Sequence, residues 1–329
     1  MTADTVGGVW TYCVELAHAL DAEVHLATMG RPMTPAQRDE AAVFASVTES
    51  DFPLEWEDRP WDGVDAAGDW LLALEAELRP DVVHLNGYAH GVLPFRAPTV
   101  VVAHSDVLSW WRQVRGEGAG PDWDEYRRRV TAGLAAAGTV VAPTAAVAGD
   151  LRREYGHGRT VVVPNCRRPE LLPSADKEPF VLAAGRVWDQ AKGLSLLGSL
   201  DVPVRVAGEG RLPAVETLGP LPFGELAALM ARAQVFAAPA RYEPFGLAAL
   251  EAAHAGCALV LGDIPSLREV WGDAARYCSD AGTLRTEVAA ALADPEAGLR
   301  AREHAQHYLP TRTAAGYRDV YARLPIGTS

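Results

Sequence analysis

The sequence has few cysteines, no long apolar run and no excess of positive charge. Only four of the 329 residues are cysteine, and Cys13, Cys166, Cys257 and Cys278 lie far apart, so neither a metal cage nor a disulfide framework is indicated. No stretch approaches the roughly 20 apolar residues that a membrane span requires. The formal net charge of -13 argues against a nucleic-acid partner. We find no internal repeat and no low-complexity tract.

The start of the chain also lacks two features. Met1-Thr-Ala-Asp4 has neither the basic start nor the apolar core of a signal peptide, so we expect a cytoplasmic protein; a peripheral contact with a membrane stays open. Only six residues precede Gly7-Gly8, where a doubly wound domain normally places a central strand. We therefore expect the first strand of the N-terminal domain to be absent. Either Met1 is an internal methionine or the sheet begins with the next strand.

A regular alternation of segments dominates the rest of the chain. Short apolar runs are followed by segments with helical spacing, which indicates parallel sheets covered by helices on both faces. The predicted strands lie at residues 23–27, 81–85, 99–103, 139–142, 159–163, 180–184, 202–207, 235–238 and 258–261.

Length and a break in this pattern predict two domains. Residues 165–179 contain three prolines and no apolar period, which is typical of an interdomain linker. The sequence thus predicts an α/β protein with two Rossmann-like doubly wound domains and a cleft between them. The N-terminal domain spans residues 1–168 and the C-terminal domain 178–308, and a helix at 311–324 crosses back onto the first domain.

Two carboxylates, Glu243 and Glu251, flank the predicted start of a helix. The backbone amides of residues 246–248 should be the unpaired donors of its first turn, and such a turn attracts phosphate. Glu251 lies on the same face, roughly 6 Å beyond Leu247, which is about the reach from a diphosphate to a ribose. A bare pair of acids is more often a solvated surface pair. The intervening Pro244-Phe-Gly246 favours a ligand site.

Two cations follow the first predicted strand of the second domain. Arg186 comes directly after the strand at 180–184, and Lys192-Gly193 opens the next predicted helix. Cations at the carboxyl end of a strand and near a helix start suit a diphosphate. The alternative is a solvated Arg and Lys pair on the surface.

These segments together resemble glycosyltransferase family 4, whose members are retaining transferases with the GT-B fold. The resemblance covers nearly the whole chain. Its specific part consists of Gly185-Arg186 with Lys192-Gly193, the segment from Arg241 to Glu251, and the segment from Asp263 to Val270. Its supporting part consists of Gly7-Gly-Val-Trp10, Asp81-Val-Val-His84, His104-Ser-Asp106 and Val163-Pro-Asn165.

The resemblance implies a role for individual residues. It makes Glu251 the acceptor of hydrogen bonds from a ribose, Glu243 the residue that faces the donor sugar, and His104 the group that approaches this sugar from the first domain. The residues that it makes donor-binding are Gly7, Gly8, Arg186, Lys192, Glu243, Pro244, Phe245, Gly246, Leu247 and Glu251. Those that it makes catalytic are Glu243, His104, Arg186 and Lys192. A lone histidine at a strand end could also be a structural hydrogen-bonding group.

The implied reaction is metal-independent. Bond cleavage leaves negative charge on the diphosphate, which fixed cations and amides can stabilise, so we expect neither a metal nor a cofactor besides the nucleoside-diphosphate sugar. Asp122-Trp-Asp124 has the composition of a divalent-metal motif. It precedes a helical segment, and we interpret it as helix capping.

The acceptor is a glycan, a lipid or a small molecule, and its candidate site lies after His104. Trp110 and Trp111 offer faces on which sugar rings stack, although at least one of them should pack in the core. Asn86 and Tyr88 are further candidates, whereas His84 should be buried.

The leading hypothesis is therefore a retaining glycosyltransferase of the hexosyltransferase type. The alternatives are a non-catalytic protein that binds sugar nucleotides or glycans, for which the absent first strand would be the reason, and a nucleotide-sugar 2-epimerase or phosphorylase. UDP, GDP and ADP stay open as the donor nucleotide, as does the oligomeric state.

Overall fold

The computed structural model describes residues 1–325 and contains two compact units. Unit 1 consists of Met1–Arg112, Glu117–Asn165 and the segment that begins at Pro310, and unit 2 consists of Gln113–Gly116 and Cys166–Leu309. Each is an α/β unit with parallel strands, as the alternation of apolar runs and helical segments predicts. None of the helices within residues 1–325 combines the length and the apolar character needed to cross a membrane.

The strands within residues 1–325 are β1 (Thr2–Asp4), β2 (His25–Met29), β3 (Ser46–Glu49), β4 (Val83–Leu85), β5 (Thr99–Val102), β6 (Thr139–Ala142), β7 (Thr160–Val162), β8 (Glu178–Ala184), β9 (Val204–Ala207), β10 (Glu216–Gly219), β11 (Ala233–Ala238), β12 (Ala258–Gly262) and β13 (Arg276–Cys278). The α-helices are α1 (Gly8–Ala19), α2 (Pro35–Glu40), α3 (Trp61–Leu78), α4 (Val107–Trp110), α5 (Asp124–Ala136), α6 (Ala145–Tyr155), α7 (Phe223–Arg232), α8 (Leu247–His254), α9 (Pro265–Trp271), α10 (Ala281–Ala293), α11 (Ala297–Ala305) and α12 (Pro310–Ala322).

Unit 1 contains a short first strand, so the expectation that this strand is absent is wrong. β1 pairs with β2, with Thr2 opposite Ala27. On its other side it contacts β4, where Asn86 donates from its backbone to Thr2 Oγ1 at 2.9 Å and from Nδ2 to the Thr2 carbonyl at 2.6 Å. Thr2–Asp4 contains no run of apolar residues that would indicate a strand, and hydrogen bonds from Asn86 help to hold it.

The remaining strands of unit 1 continue on both sides of this pair, in the orders β1-β2-β3 and β4-β5-β6-β7. β5 and β6 are the central strands of the second group and are almost wholly buried. Their unbroken valine runs follow from this burial, because a parallel strand covered on both faces needs apolar side chains on both.

The last helix, α12, belongs to unit 1 and packs against α1. Tyr317 is fully buried, and its hydroxyl accepts a hydrogen bond from the Tyr12 hydroxyl at 2.5 Å. Thr313 Oγ1 donates to the carbonyl of Pro164 at 2.9 Å. A side chain at Gly316 would come within 2.9 Å of Val163, so glycine permits the close approach of this helix.

Unit 2 contains one sheet of six parallel strands in the order β10-β9-β8-β11-β12-β13. Chain order therefore reverses between β8 and β11, which are neighbours in the middle of the sheet. In open parallel sheets, ligands bind beyond the carboxyl ends of the strands at such a switch point. We therefore expect the loops that follow β8 and β11 to form the ligand-binding site of unit 2.

Three strands that the sequence pattern does not predict lie at sheet edges. These are β3, β10 and β13. Edge strands are half-exposed and carry polar residues, as in Glu216–Gly219 and Arg276–Cys278. A search for apolar runs passes over such strands.

Two local predictions need correction. The segment after Lys192 is a 3-10 helix, Leu194–Ser199, and not an α-helix. Asp122 and Asp124 lie at the start of α5, where the helix dipole favours acids, but neither side chain makes a capping hydrogen bond.

The predicted interdomain linker, residues 165–179, begins where the chain passes from unit 1 to unit 2. Asn165, Cys166 and Arg167 are buried. Further on, the Lys177 ammonium donates to the carbonyls of Met230 and Ala255 at 3.1 and 2.8 Å. Both ends of this segment are therefore fixed by contacts.

Candidate functional site

The loops that follow β8 and β11 are joined at the switch point of unit 2. The Ala191 carbonyl accepts a hydrogen bond from the Arg241 amide at 2.8 Å. Gly193, with φ of 63°, lies so close to Pro239 that a Cβ atom would be 2.1 Å from the Pro239 carbonyl oxygen. Only glycine fits at this position. This close approach brings Lys192 beside Glu243.

Lys192 and Glu243 form an ion pair at the start of α8. The Nζ to Oε2 distance is 2.8 Å, and the side chains are 28% and 22% exposed. Glu243 Oε1 accepts a hydrogen bond from the Gly246 amide at 3.1 Å. The Gly246 amide is thus already paired in this structure, contrary to prediction, while the first-turn amides of Leu247 and Ala248 have no acceptor within the helix. The carboxylate lies between a cation and a helix N-terminus.

A cavity of about 30 Å³ opens at this ion pair and is bordered by Lys192, Glu243 and Gly246. A larger depression of about 390 Å³ lies beside β13. There the arginines are already paired with acids, as in Arg268 with Asp263 at 2.6 Å. We place the candidate site at the smaller cavity because it lies at the switch point and contains a helix N-terminus.

Arg186 follows β8 in the same group of loops but contacts neither Lys192 nor Glu243. Its guanidinium donates to Asp189 Oδ2 at 2.9 Å and lies 5.3 Å from the ring centre of Trp188. The side chain is 44% exposed. An exposed guanidinium with one partner retains donors for an anionic ligand.

Glu251, on α8, is buried and paired with Arg167. The Arg167 Nε to Glu251 Oε1 distance is 2.7 Å, and the two side chains are 9% and 10% exposed. The Arg167 guanidinium also lies 4.4 Å from the centre of the Phe223 ring. Both contacts fix the position of the arginine and, through it, that of the carboxylate.

Sequence reasoning missed Arg167 because it lies in the segment interpreted as a linker. A signal was available. The pair Arg167-Arg168 directly follows Val163-Pro-Asn165, a segment that the family resemblance had already marked. Two adjacent cations at the start of the predicted linker are candidate partners for the acids of α8.

In unit 1, His104 follows β5 and is held by neutral groups. Its Nε2 lies 2.7 Å from Asn86 Oδ1. The Tyr12 ring packs edge-on against the imidazole, with ring centres 4.5 Å apart. Burial lowers the pKa of His104 to about 3, so the imidazole is neutral at physiological pH.

His84 is buried, as predicted, and continues this arrangement. Its Nε2 lies 3.1 Å from the Tyr12 hydroxyl, and its Nδ1 lies 2.8 Å from the hydroxyl of Tyr321 on α12. Burial holds the pKa of His84 well below its usual value. Tyr321, His84 and Tyr12 therefore form an uncharged hydrogen-bonded network that begins on α12. The Tyr12 ring at its other end packs against His104.

Gly7 lies between β1 and α1, beyond the carboxyl end of the strand, and Gly8 is the first residue of α1. Gly7 has φ of 84°, and a Cβ atom at this position would have no neighbour within 4 Å. The backbone conformation, and not crowding, therefore requires glycine here. An open backbone before a helix N-terminus is compatible with the predicted close approach of a ligand.

The four acceptor candidates differ in how much surface they offer. Trp110 and Trp111 are each partly exposed, so the expectation that at least one packs in the core is wrong. Their ring centres lie 6.0 Å apart in an edge-to-face arrangement. Tyr88 is buried and donates to the Ser105 carbonyl at 2.9 Å. The Asn86 side chain is engaged by Thr2 and His104. The acceptor role of these residues stays a prediction.

Comparison with protein families identifies the chain. The Glycosyltransferase Family 4 model matches residues 6–171, which is slightly more than half of the 329 residues. The model Glycosyl transferases group 1 matches residues 207–308. The chain belongs to glycosyltransferase family 4.

Individual relatives agree with this assignment. Glycogen synthase from Mycobacterium tuberculosis is 40% identical over 135 residues, which cover 35% of this chain and 33% of that protein. The match thus spans about a third of that relative's length. Sucrose-phosphate synthase from Thermosynechococcus elongatus superposes with a TM-score of 0.78 at 19% identity, over 98% of this chain and 95% of its own.

A second solved structure is similar over its whole length. Anabaena HepE, determined in complex with UDP and glucose, superposes with a TM-score of 0.76 at 14% identity, over 98% of this chain and 99% of its own. At such low identities these likenesses show the fold alone. It is the GT-B fold with two Rossmann-like units, as the sequence predicts.

Proposed function

We propose that this family 4 chain is a retaining, metal-independent glycosyltransferase that moves a sugar from a nucleoside-diphosphate donor to an acceptor hydroxyl. The observation that carries the proposal is the group formed by Lys192, Glu243 and the N-terminus of α8 at the switch point of unit 2. The complexes of Anabaena HepE with UDP and with UDP-glucose support a sugar nucleotide as the donor class. The glycogen synthase relative makes a glucose-carrying donor the first to test.

Lys192 would change partner when the donor binds. Its ammonium now pairs with Glu243, and a diphosphate beside it would offer a stronger, doubly charged acceptor. The amides of Leu247 and Ala248 and the exposed guanidinium of Arg186 would add donors to the same group. Cleavage of the anomeric bond leaves negative charge on the diphosphate, and fixed donors stabilise this charge in the transition state.

The same exchange would release one oxygen of Glu243. The Gly246 amide holds Oε1, while Oε2 is freed when Lys192 turns to the diphosphate. A carboxylate oxygen so positioned can accept hydrogen bonds from sugar hydroxyls. Glu251 would receive the ribose hydroxyls, and its ion pair with Arg167 would hold the carboxylate in position.

The alternatives lose support or make different predictions. The non-catalytic hypothesis depended on an absent first strand, and β1 is present. A 2-epimerase converts its free nucleotide sugar without an acceptor, whereas a transferase consumes donor and acceptor together.

Titration calorimetry with UDP, GDP and ADP, followed by nucleotide-release assays with the matching glucose donors, tests the proposal. Glu251→Gln should weaken nucleotide binding about 10- to 100-fold, because hydrogen bonds to a charged group contribute roughly 1.5–3 kcal/mol. Lys192→Ala should lower kcat/KM about 10²- to 10³-fold, the usual cost of removing one donor to developing charge. Glu243→Gln should reduce turnover with little change in nucleotide affinity.

Glu178→Gln is the matched control. Glu178 pairs with Arg232 at 2.6 Å at the amino end of β8, on the opposite edge of the sheet, and its loss should change neither binding nor turnover. Product NMR should show retention, and EDTA should leave the rate unchanged. An inverted product, a rate abolished by EDTA, or tight nucleotide binding without turnover of any donor would each contradict the proposal.

A further inference from the structure

The orientation of the Asn86 side-chain amide is fixed by β1. Nδ2 lies 2.6 Å from the carbonyl oxygen of Thr2. A carbonyl oxygen only accepts hydrogen bonds, so the NH₂ group of Asn86 must face Thr2. The backbone amide of Asn86 donates to Thr2 Oγ1 at 2.9 Å and keeps the residue in register. The remaining amide atom, Oδ1, therefore faces the other way, towards His104.

This orientation determines which nitrogen of His104 carries the proton. Asn86 Oδ1 lies 2.7 Å from His104 Nε2. An amide oxygen only accepts, so Nε2 must be the donor. A neutral imidazole has a single N–H, which leaves Nδ1 with a free lone pair. Burial lowers the pKa of His104 to about 3, in agreement with a neutral ring.

The lone pair of Nδ1 is available. His104 is partly exposed, and its Nδ1 has no hydrogen-bond partner among residues 1–325. The edge-on Tyr12 ring packs against the imidazole and restricts its rotation. The imidazole is thus held with one nitrogen engaged and the other open.

We propose that Asn86 is a positioning residue that fixes His104 in the Nε2–H tautomer, so that Nδ1 accepts a hydrogen bond from a hydroxyl of the substrate sugar. The identity of the hydroxyl rests on the proposed function, whereas the tautomer does not. In this form His104 cannot act as the acid that protonates the leaving diphosphate. Stabilisation of that group falls to Lys192, Arg186 and the amides of α8.

The tautomer can be measured without any substrate. Long-range ¹H–¹⁵N NMR spectra of the full chain labelled with ¹⁵N-histidine distinguish the two ring nitrogens, and His104→Gln identifies the signals of His104. Wild type should show the Nε2–H form alone. Asn86→Ala should give a mixture of both tautomers. A wild-type Nδ1–H signal, or an unchanged Nε2–H signal in Asn86→Ala, overturns the proposal.

Cys13→Ser is the matched control for the surroundings of Asn86. Cys13 Sγ lies 3.3 Å from Asn86 Nδ2, on the side of the amide that faces away from His104. Its replacement by a residue of similar size should leave the tautomer unchanged. If Cys13→Ser also gave a mixture of the two His104 tautomers, the change in Asn86→Ala would be due to packing and not to the loss of Asn86 Oδ1.

Asn86→Asp supplies a second variant that keeps an acceptor beside Nε2 and adds a charge. The carboxylate should preserve the Nε2–H form and raise the pKa of His104. Because a protonated Nδ1 cannot accept a hydrogen bond, turnover of this variant should fall as the pH falls through the raised pKa, while wild type stays level. If Asn86 had only a structural role, Asn86→Asp would lose the same fraction of turnover at every pH. That result would contradict the proposal.

The two hypotheses fail in different ways. Asn86→Ala should lower kcat/KM roughly 10- to 100-fold, as removal of an outer partner of a functional histidine usually does. If the NMR result is as expected and no donor is turned over, the proposed function fails and the tautomer assignment stands. If donors are turned over but His104 is not in the Nε2–H form, the inference about Asn86 fails and the proposed function stands.

Discussion

In unit 2 the candidate side chains are held as ion pairs, whereas in unit 1 they are held by hydrogen bonds between neutral groups. Lys192 pairs with Glu243, and Arg167 pairs with Glu251. In unit 1, His104 contacts an amide oxygen and an aromatic ring, and burial keeps it uncharged.

This difference suits two kinds of recognition. In an ion pair the cation is already held at the site, and it can exchange its carboxylate partner for an anionic ligand such as a diphosphate. A neutral network has no charge to exchange, so it presents a lone pair or a proton in a fixed direction, which suits a hydroxyl group. We therefore expect stability to depend on paired charges in unit 2 and on uncharged groups in unit 1.

The largest effect is expected from Arg167→Ala. Removal of the guanidinium breaks the buried ion pair with Glu251, and breaking such a pair from one side costs about 3–5 kcal/mol. Urea unfolding followed by circular dichroism should show this loss. The double variant Arg167→Ala with Glu251→Gln should recover part of it, because the buried charge is removed as well.

Arg232→Ala is the exposed counterpart of this change. Arg232 and Glu178 are 47% and 43% exposed at 2.6 Å, and such surface pairs contribute little to stability. If Arg167→Ala costs no more than Arg232→Ala, the buried pair is not what holds Glu251, and the contrast between the units is lost.

A smaller effect is expected from pH, and it arises in unit 1. The folded pKa of His104, about 3, is below the unfolded value of about 6.5. The unfolded state therefore binds more protons between these values, so stability is unaffected above about pH 6.5 and falls as the pH decreases towards 3. From pH 7.5 to 5, His104 should contribute a loss of about 2 kcal/mol.

Unfolding measured at both pH values should show a smaller difference in His104→Gln than in wild type. His84, whose pKa burial also lowers, acts in the same direction. Glu55 and Asp106 act in the opposite one, because burial raises the pKa of each. His307→Gln, at an exposed position, serves as the control. An equal pH response of wild type and His104→Gln would mean that His104 is not held neutral by the fold.

The parts of the fold that the sequence predicts are those whose residues are buried on both faces. β5, β8, β11 and β12 appear as apolar runs because both faces of each strand are covered. β1, Thr2–Asp4, contains no apolar run, and β3, β10 and β13 carry polar, half-exposed residues. β7 also lies at a sheet edge but is predicted because it contains two valines. Pattern reasoning therefore finds the strands that contain apolar runs and misses the strands that lack them.

The same limit applies to the site. Glu243, Glu251, Arg186 and Lys192 lie in segments with recognisable spacing, and the structure brings Lys192 and Glu243 together. The other contacts at the site join residues that are far apart in the sequence. Arg167 reaches Glu251 from a different segment, and no spacing rule predicts that contact.

The smallest effect is expected from Tyr317→Phe. Tyr12 and Tyr317 are buried, and their hydroxyls are 2.5 Å apart. Removal of one neutral hydroxyl should cost only about 0.5–1.5 kcal/mol, because the ring still fills its place. The Tyr12 hydroxyl keeps a second partner, His84 Nε2 at 3.1 Å.

Thermal unfolding of Tyr317→Phe and of Arg167→Ala compares the stability lost in unit 1 with that lost in unit 2. Tyr308→Phe is the control in unit 2, because it removes a partly exposed hydroxyl that donates to the Val270 carbonyl at 2.7 Å, where water can replace it. A loss in Tyr317→Phe as large as that in Arg167→Ala would mean that the neutral network stabilises the fold as strongly as the buried ion pair. The smaller expected loss means that unit 1 depends on the direction of its hydrogen bonds more than on their strength.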